Sequence, residues 1–363
     1  MQPLVASSKS PHRRYYDIDV LRFFAAVSVM FLHYLVRGFA EGDNYSPVFY
    51  GDAANFVKYN YLAVNLFFMI SGFVILMSAE NGSAVAFLKS RVTRLYPAYW
   101  FCCTVSFVLT YLFINQIFTL TLPRYIFNLT MLNGFVGIGF VDGVYWTLMV
   151  ELKFYLLVLI VLLLGRISKI EYFLAGWLLI SVAQVVLHVG FVERYLITNY
   201  SAFFIAGCLF YRISKLGFSL SRMLMLAATV PLGIHFELVD LVRRAAHYGR
   251  LEFHPEMVSV ICVAFYAVFF VVIRRHSASP TYAKIAGKLG AVSYPLYLIH
   301  LNVGMVVFNL FGLKMDKWLL LGLLSVAMIV FAYLINRLVE RPLAATIRRL
   351  FSKKQAPKTA SLA

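Results

Sequence analysis

An arginine and a histidine interrupt the apolar stretch Asp19–Gly38, which reads DVLRFFAAVSVMFLHYLVRG and is long enough to cross a bilayer as one helix. Arg22 and His33 are eleven residues apart, so three helical turns return them to one face, about 16 Å apart along the axis. Ionisable side chains at membrane depth are costly and usually face a polar cavity or a partner, which makes a functional site the first hypothesis. The alternative is structural: Arg22 extends to the interface, and His33 is a hydrogen-bonded packing residue.

A carboxylate interrupts a second apolar run, which reads WTLMVELKFYLL. Glu151 lies about two turns into this run, and Tyr155 follows one turn later on the same helical face. His33 and Glu151 have similar depths in their helices, so we expect them to be in contact. Lys153 is the alternative partner, although residues two apart on one helix point in different directions.

Two arginines precede a further apolar run in the segment RVTRLYPAYW. Arg91 and Arg94 are three residues apart and share a face on a helix that enters the membrane. Paired guanidinium groups suit phosphate recognition because each presents a planar fork of donors. The alternative is that these charges only fix the topology of a cytoplasmic loop. Pro97 is expected in the first turn of the third span.

Polar residues also occur in two other apolar runs. The motif NLFFMISGF contains Ser71 and Gly72, where the glycine favours close helix contact and the serine faces either a neighbour or a cavity. The motif VSYPLYLIH contains Tyr297 and His300, which are three apart and share a face.

The composition is that of a membrane protein. Hydrophobic residues make up 61% of the 363 residues, charged residues 13%, and the mean hydropathy is +0.79. The net charge of +17 comes from short basic clusters between apolar runs rather than from a nucleic-acid-binding face, so we expect no nucleic acid partner. The four cysteines lie inside apolar runs and are interpreted as buried free thiols. No metal-ligand spacing is present, and the charged segment 237–256 is interpreted as a solvated outer loop.

The apolar runs predict an all-α, polytopic membrane protein of about ten helices in one domain. The predicted spans are 19–38, 59–79, 95–117, 145–165, 170–190, 195–212, 221–236, 256–274, 289–311 and 318–338. The stretch 118–144 is less apolar and is expected to form an outer loop or a partly re-entrant segment. A polar, basic segment containing Arg13 and Arg14 precedes the first span, which is interpreted as an uncleaved helix rather than a signal peptide.

The basic residues also predict the orientation. Counted over alternate loops, 22 Lys and Arg residues fall on the side of the N-terminus and 9 on the other side. The positive-inside rule then places both termini in the cytoplasm and His33 in the outer half of the membrane. The basic tail 343–363 is expected to contact anionic membrane lipids.

Taken in order, these motifs closely resemble the bacterial membrane acyltransferase family called acyltransferase 3. The resemblance runs from about Tyr16 to Pro342 and rests on Arg22 and His33, LFFMISGF, RVTRLYPAYW, WTLMVELKFYLL, SYPLYLIH and VERPL. It implies a ten-helix protein of the bacterial inner membrane that transfers an acyl group, usually acetyl, from cytoplasmic acyl-CoA to a hydroxyl of a cell-surface glycan or glycolipid. Acceptors in the family include lipopolysaccharide, exopolysaccharide, Nod factors and peptidoglycan. Some members carry an extra extracytoplasmic domain, for which this chain is too short, so a separate transfer partner is an open alternative.

The motifs and the resemblance together support one mechanistic hypothesis. Acetyl-CoA is the expected donor substrate, and no bound cofactor or metal is expected. Arg22, Arg91 and Arg94 bind the donor's phosphates. His33 is the general base on the acceptor hydroxyl, and Glu151 fixes its tautomer. Residues expected to position the substrate or polarise its carbonyl are Ser71, Trp146, Tyr155, Tyr297 and His300. Transient acylation of His33 or of a serine stays open.

Two other functional classes fit parts of the sequence. Intramembrane charges and interrupted helices also occur in transporters, so a non-enzymatic exporter of a glycan or small molecule is the main alternative. The chain contains no detectable inverted repeat, and its paired arginines lie on one side, which favours the enzyme. A catalytically inactive scaffold is the third option.

Overall fold

The computed structural model describes residues 15–39, 45–80, 82–248, 251–275 and 278–353. Across these residues the chain is helical and contains no strand. Ten helical segments within them are long and apolar enough to cross a membrane: Tyr16–Leu35, Ala53–Ala79, Ala84–Phe113, Gly143–Leu163, Ile167–Leu187, Gly190–Leu216, Leu220–His247, Pro255–Arg274, Pro280–Phe311 and Lys317–Ser352. The prediction of an all-α protein with about ten spans is confirmed. Arg13 and Arg14 lie outside the described residues.

Fifteen α-helices make up the described part of the chain, some of them paired within one span. They are α1 Tyr16–Leu35, α2 Ala53–Val57, α3 Ala63–Ala79, α4 Ala84–Phe113, α5 Asn115–Phe118, α6 Leu122–Asn128, α7 Trp146–Leu163, α8 Ile170–Leu187, α9 Gly190–Leu196, α10 Thr198–Leu216, α11 Leu220–His247, α12 Pro255–Arg274, α13 Pro280–Phe311, α14 Lys317–Ile335 and α15 Arg341–Lys353. A π-helical turn, Asn336–Glu340, joins the last two. The side chains of Ser83, Ser219, Ser279 and Asp316 cap the N-termini of α4, α11, α13 and α14.

Two helices form the centre of the bundle. In the spans that contain α10 and α13, 83% of the most apolar stretch is buried. The corresponding share is 33% in each of the spans that contain α8, α11, α12 and α14. α13 packs along α1, and α10 packs along α3. The outer helices expose their remaining apolar side chains on the face that lipid covers in a membrane protein.

Glycines bring α3 and α10 into backbone contact. A Cβ at Gly207 would lie 1.9 Å from the carbonyl oxygen of Met69, and one at Gly72 would lie 2.2 Å from that of Phe204. The close-contact interpretation of Gly72 is therefore confirmed. The neighbouring Ser71 is held on the other side of α3, against α7, where it hydrogen-bonds to Glu151.

Two boundary predictions were wrong. α4 begins at Ala84 rather than near residue 95, so Arg91 and Arg94 lie inside a helix and Pro97 is interior rather than in the first turn. α11 extends to His247 through Pro231, so most of the charged segment predicted as an outer loop is helical. Membrane helices tolerate interior prolines because neighbouring groups satisfy the freed carbonyls. All four cysteines are buried and free, as expected.

Candidate active site

A polar cavity enclosed by α1, α3, α4, α7 and α13 collects most of the predicted donor-binding residues. It has a volume of about 110 Å³, and its polar and charged lining residues are Arg22, Ser71, Arg91, Arg94, Thr147, Glu151, Tyr155, Ser293, Tyr294 and Tyr297. We call it the arginine cavity. Three guanidinium groups face one carboxylate among these side chains, so the cavity carries a positive charge that favours an anionic ligand.

Neither paired arginine is a simple surface charge. Arg94 forms an ion pair with Glu340, which follows α14, and its guanidinium lies over the ring of Tyr294. Arg91 donates to Ser78 and Ser90, while its buried Nε has no hydrogen-bond partner among the described residues. These contacts orient both side chains and leave donor capacity for a ligand.

Glu151 pairs with a serine and not with the histidine. Its Oε1 accepts a hydrogen bond of 2.6 Å from Ser71, and Tyr155 is also in hydrogen-bonding range of its carboxylate. The expected contact between His33 and Glu151 is wrong, because the two side chains line different cavities. Two side chains at equal depth are neighbours only if the helix faces that carry them also pack against each other.

His33 forms its hydrogen bond with a second histidine. The Nδ1 atom of His33 lies 2.8 Å from Nε2 of His300, and both side chains are buried. Nδ1 of His300 lies 3.0 Å from the carbonyl oxygens of both Leu296 and Tyr297. A carbonyl only accepts, so this Nδ1 carries a proton, and in a neutral ring Nε2 is then an acceptor. His33 therefore donates from Nδ1, and its own Nε2 keeps a free lone pair.

A buried carboxylate fixes the helix that carries His300. Asp142 accepts from the backbone N–H groups of Val144 and Asn302, both at 3.1 Å, and so joins the start of α7 to α13. Burial raises the pKa of Asp142 to about 6, although the hydrogen bonds from Val144 and Asn302 oppose the rise. Tyr34 donates to the carbonyl of His300 at 2.9 Å and ties α1 to the same place. Asp142 is not among the predicted site residues, because its only sequence signal is a charge at the edge of a span.

A second, smaller cavity contains His33, and we call it the histidine cavity. Its volume is about 60 Å³, and its polar, charged and aromatic lining residues are His33, Arg37, Tyr61, Asn65, Trp146, Tyr200, Glu237, Asp240, Arg244, Tyr248 and Tyr297. Val64 and Tyr297 line both cavities and form the wall between them. The Tyr297 hydroxyl lies 2.9 Å from Oγ1 of Thr147, which holds that wall in place.

Comparison with known proteins agrees with this arrangement of helices and polar groups. A model of the acyltransferase 3 family, described as an acyltransferase domain, matches residues 15–337. The chain belongs to this family. It is also similar to "Nodulation protein 10" of Rhizobium leguminosarum bv. viciae, with 32% identity over 193 residues. That alignment covers 48% of this chain and 50% of the relative, so the chain spans about half the length of the curated relative it matches. No solved structure matches the chain.

Family membership confirms the resemblance inferred from the motifs, and the roles of single residues stay predictions. Six of the predicted residues meet in the arginine cavity: Arg22, Ser71, Arg91, Arg94, Glu151 and Tyr155. His33 and Trp146 line the histidine cavity, Tyr297 lines both, and His300 supports His33 from behind. In the residues with described positions, no group of three or more His, Cys, Asp or Glu side chains is arranged to hold a metal.

Proposed function

We propose that this protein is a membrane O-acyltransferase that moves an acyl group, most simply acetyl, from cytoplasmic acyl-CoA to a hydroxyl of an extracytoplasmic glycan or glycolipid. The observation that carries the proposal is the pair of cavities separated by the side chains of Val64 and Tyr297. One cavity is cationic, and the other contains an imidazole with an unprotonated Nε2. Membership of the acyltransferase family supports the same class of reaction.

The arginine cavity is the proposed donor site. Acyl-CoA carries its negative charge on phosphates, and Arg22, Arg91 and Arg94 supply guanidinium groups for them. The uncharged pantetheine arm then extends along α13 toward Tyr297. Displacement of this ring from between the cavities brings the thioester to His33.

The histidine pair supplies the proton chemistry. Nε2 of His33 takes the proton of the acceptor hydroxyl as its oxygen attacks the thioester carbonyl. The carbon–sulfur bond breaks, and the resulting imidazolium returns the proton to the CoA sulfur, so the products are an ester and CoA. His300 holds the reactive tautomer, the role that a carboxylate has in a Ser–His–Asp triad. Glu151, which was expected to have this role, instead offsets part of the positive charge of the arginine cavity and orients Ser71.

The loops that carry the excess of Lys and Arg are assigned to the cytoplasm, so the arginine cavity opens inward and both termini lie inside. This arrangement matches a protein of the bacterial inner membrane. A separate extracytoplasmic partner is required only if the acceptor does not reach His33 directly.

The test uses purified protein, acetyl-CoA labelled in the acetyl group, and alkali-deacylated envelope glycan from a strain that lacks the gene. His33→Ala should lower turnover by about 10²–10⁴-fold with little change in acetyl-CoA affinity. Arg94→Ala should raise the KM for acetyl-CoA about tenfold or more.

The matched controls are His235→Ala, a membrane-helix histidine that lines neither cavity, and the exposed Arg166→Ala, and both should behave like the wild type. Normal transfer by a stably inserted His33→Ala protein would rule out the general base. If the wild-type protein transferred no acetyl group to the glycan, the proposed function would be ruled out.

A further inference from the structure

A buried carboxylate, Glu237, faces the histidine cavity. Glu237, on α11, is only 4% exposed. Its neighbour in hydrogen-bonding range is the amide of Asn65, and in the described part of the chain it forms no ion pair. An unpaired carboxylate inside a membrane bundle is expensive, so its presence calls for a ligand that donates hydrogen bonds.

The nearest arginine on the same helix is already engaged. Arg244 donates to Asp240 at 2.6 Å, and its guanidinium lies 4.0 Å from the ring centroid of Tyr61. These two contacts orient Arg244 toward Asp240 rather than toward Glu237. The Tyr61 hydroxyl is itself buried and has no hydrogen-bond partner in the described residues. Glu237 and Tyr61 thus provide an acceptor and a donor with free capacity around one cavity.

The histidine cavity differs from the proposed donor site in its net charge and in its aromatic lining. Two arginines, Arg37 and Arg244, match two carboxylates, Glu237 and Asp240, so its lining has no net charge. The rings of Trp146 and Tyr200 lie against each other, 5.6 Å apart, on another side. Hydroxyl-binding groups next to aromatic faces suit a neutral sugar, whose hydroxyls donate and whose C–H faces pack on rings.

The volume of the histidine cavity limits which part of an acceptor can enter it. At about 60 Å³ it is smaller than the arginine cavity, at about 110 Å³, so we expect it to receive the hydroxyl-bearing edge of a sugar. We propose that the histidine cavity is the acceptor subsite, in which Glu237 accepts a hydrogen bond from a hydroxyl of a neutral sugar while a neighbouring hydroxyl meets His33. This inference rests on the proposed acyl transfer and assigns the residues that select the acceptor.

The test compares Glu237→Gln with Glu256→Gln, an exposed residue in the first turn of α12 that lies outside the cavity. The deacylated envelope glycan is titrated at saturating acetyl-CoA. Glu237→Gln should raise the KM for glycan about threefold to tenfold, because an amide oxygen accepts a weaker hydrogen bond than a carboxylate does. The KM for acetyl-CoA should stay within twofold, and Glu256→Gln should match the wild type.

An unchanged KM for glycan in Glu237→Gln would overturn the subsite. If that variant does not accumulate in the membrane, Tyr61→Phe decides: a KM for glycan raised threefold or more supports the proposal, and an unchanged value overturns it. Absence of transfer by the wild type would instead contradict the proposed function. Binding of acetyl-CoA, measured calorimetrically on each variant, separates the donor site from this one.

Discussion

The two carbonyl groups behind His300 determine which nitrogen of His33 is basic. They hold the proton of His300 on Nδ1, and His300 in turn holds the proton of His33 on Nδ1. In the proposed mechanism a neutral imidazole therefore orients His33 without a buried charge, which suits a site surrounded by lipid-embedded helices.

Replacement of His300 tests this relay. His300→Ala removes the acceptor for His33 Nδ1–H, and we expect kcat to fall about 10²-fold or more while the KM for acetyl-CoA changes little. His300→Gln, whose side-chain oxygen accepts a hydrogen bond, should recover part of the lost kcat. A purely structural role would lower both variants equally through loss of folded protein, which size-exclusion chromatography in detergent would detect.

At the scale of elements, the contact between α3 and α10 depends on two glycines, Gly72, which the sequence predicts, and Gly207, which it does not. Gly207→Ala places a Cβ against the backbone of α3, which cannot move aside as a flexible side chain can. We expect a loss of about 3 kcal/mol or more, measured as a fall in the unfolding temperature of the purified protein. Gly176→Ala on α8 is the matched control, because no atom of the described residues lies within 4 Å of its Cβ position, and it should be neutral or slightly stabilising.

Four helices meet at a charge cluster on the side assigned to the cytoplasm. Glu80 follows α3 and accepts from Tyr211 at 3.0 Å and from Arg212 and Lys215 at 2.5 Å, while Glu171 pairs with Arg212 and Arg222. Burial opposes ionisation of Glu80, but the hydrogen bonds from Lys215 and Arg212 outweigh it and lower the pKa below its ordinary value. The cluster therefore joins α3, α8, α10 and α11.

The lowered pKa gives this cluster a defined pH dependence. The folded protein holds the Glu80 proton less tightly than the unfolded chain, so the stabilisation is complete above pH ~4.5 and is lost as the pH falls below that value. Glu80→Gln should cost about 3 kcal/mol near pH 7, and its difference from the wild type should shrink below pH ~4. Thermal unfolding measured across this range checks both the size and the sign. A constant difference at every pH would contradict the prediction.

At the scale of the whole molecule, the sequence predicts the number and type of spans well, because apolar length is a local property. It also predicts which polar residues are functional candidates, since every charged group inside a span has to be explained. The partner of each group is not a local property. Glu151 hydrogen-bonds to Ser71, 80 positions away in the chain, and His33 to His300, 267 away. Only the packing of α1 against α13 and of α3 against α7 determines those pairs.

Glu237 shows that the end of a helix is also hard to predict from local sequence. Because the span 221–236 is short and contains Pro231, the sequence predicts that it ends before Glu237. Glu237 is therefore expected in a solvated loop. The proline is accommodated within α11, and the helix continues for four more turns that carry Glu237, Asp240 and Arg244 to the histidine cavity. A break predicted from local propensity was overridden by the surrounding helices.

The wall formed by Val64 and Tyr297 has a consequence for the energy supply of the cell. A continuous water-filled path through the two cavities would conduct protons and ions down their gradients. In the structure the ring of Tyr297, held by Thr147, interrupts that path, so the proposed acyl transfer would open it only while the ring is displaced, which limits the leak of the proton-motive force.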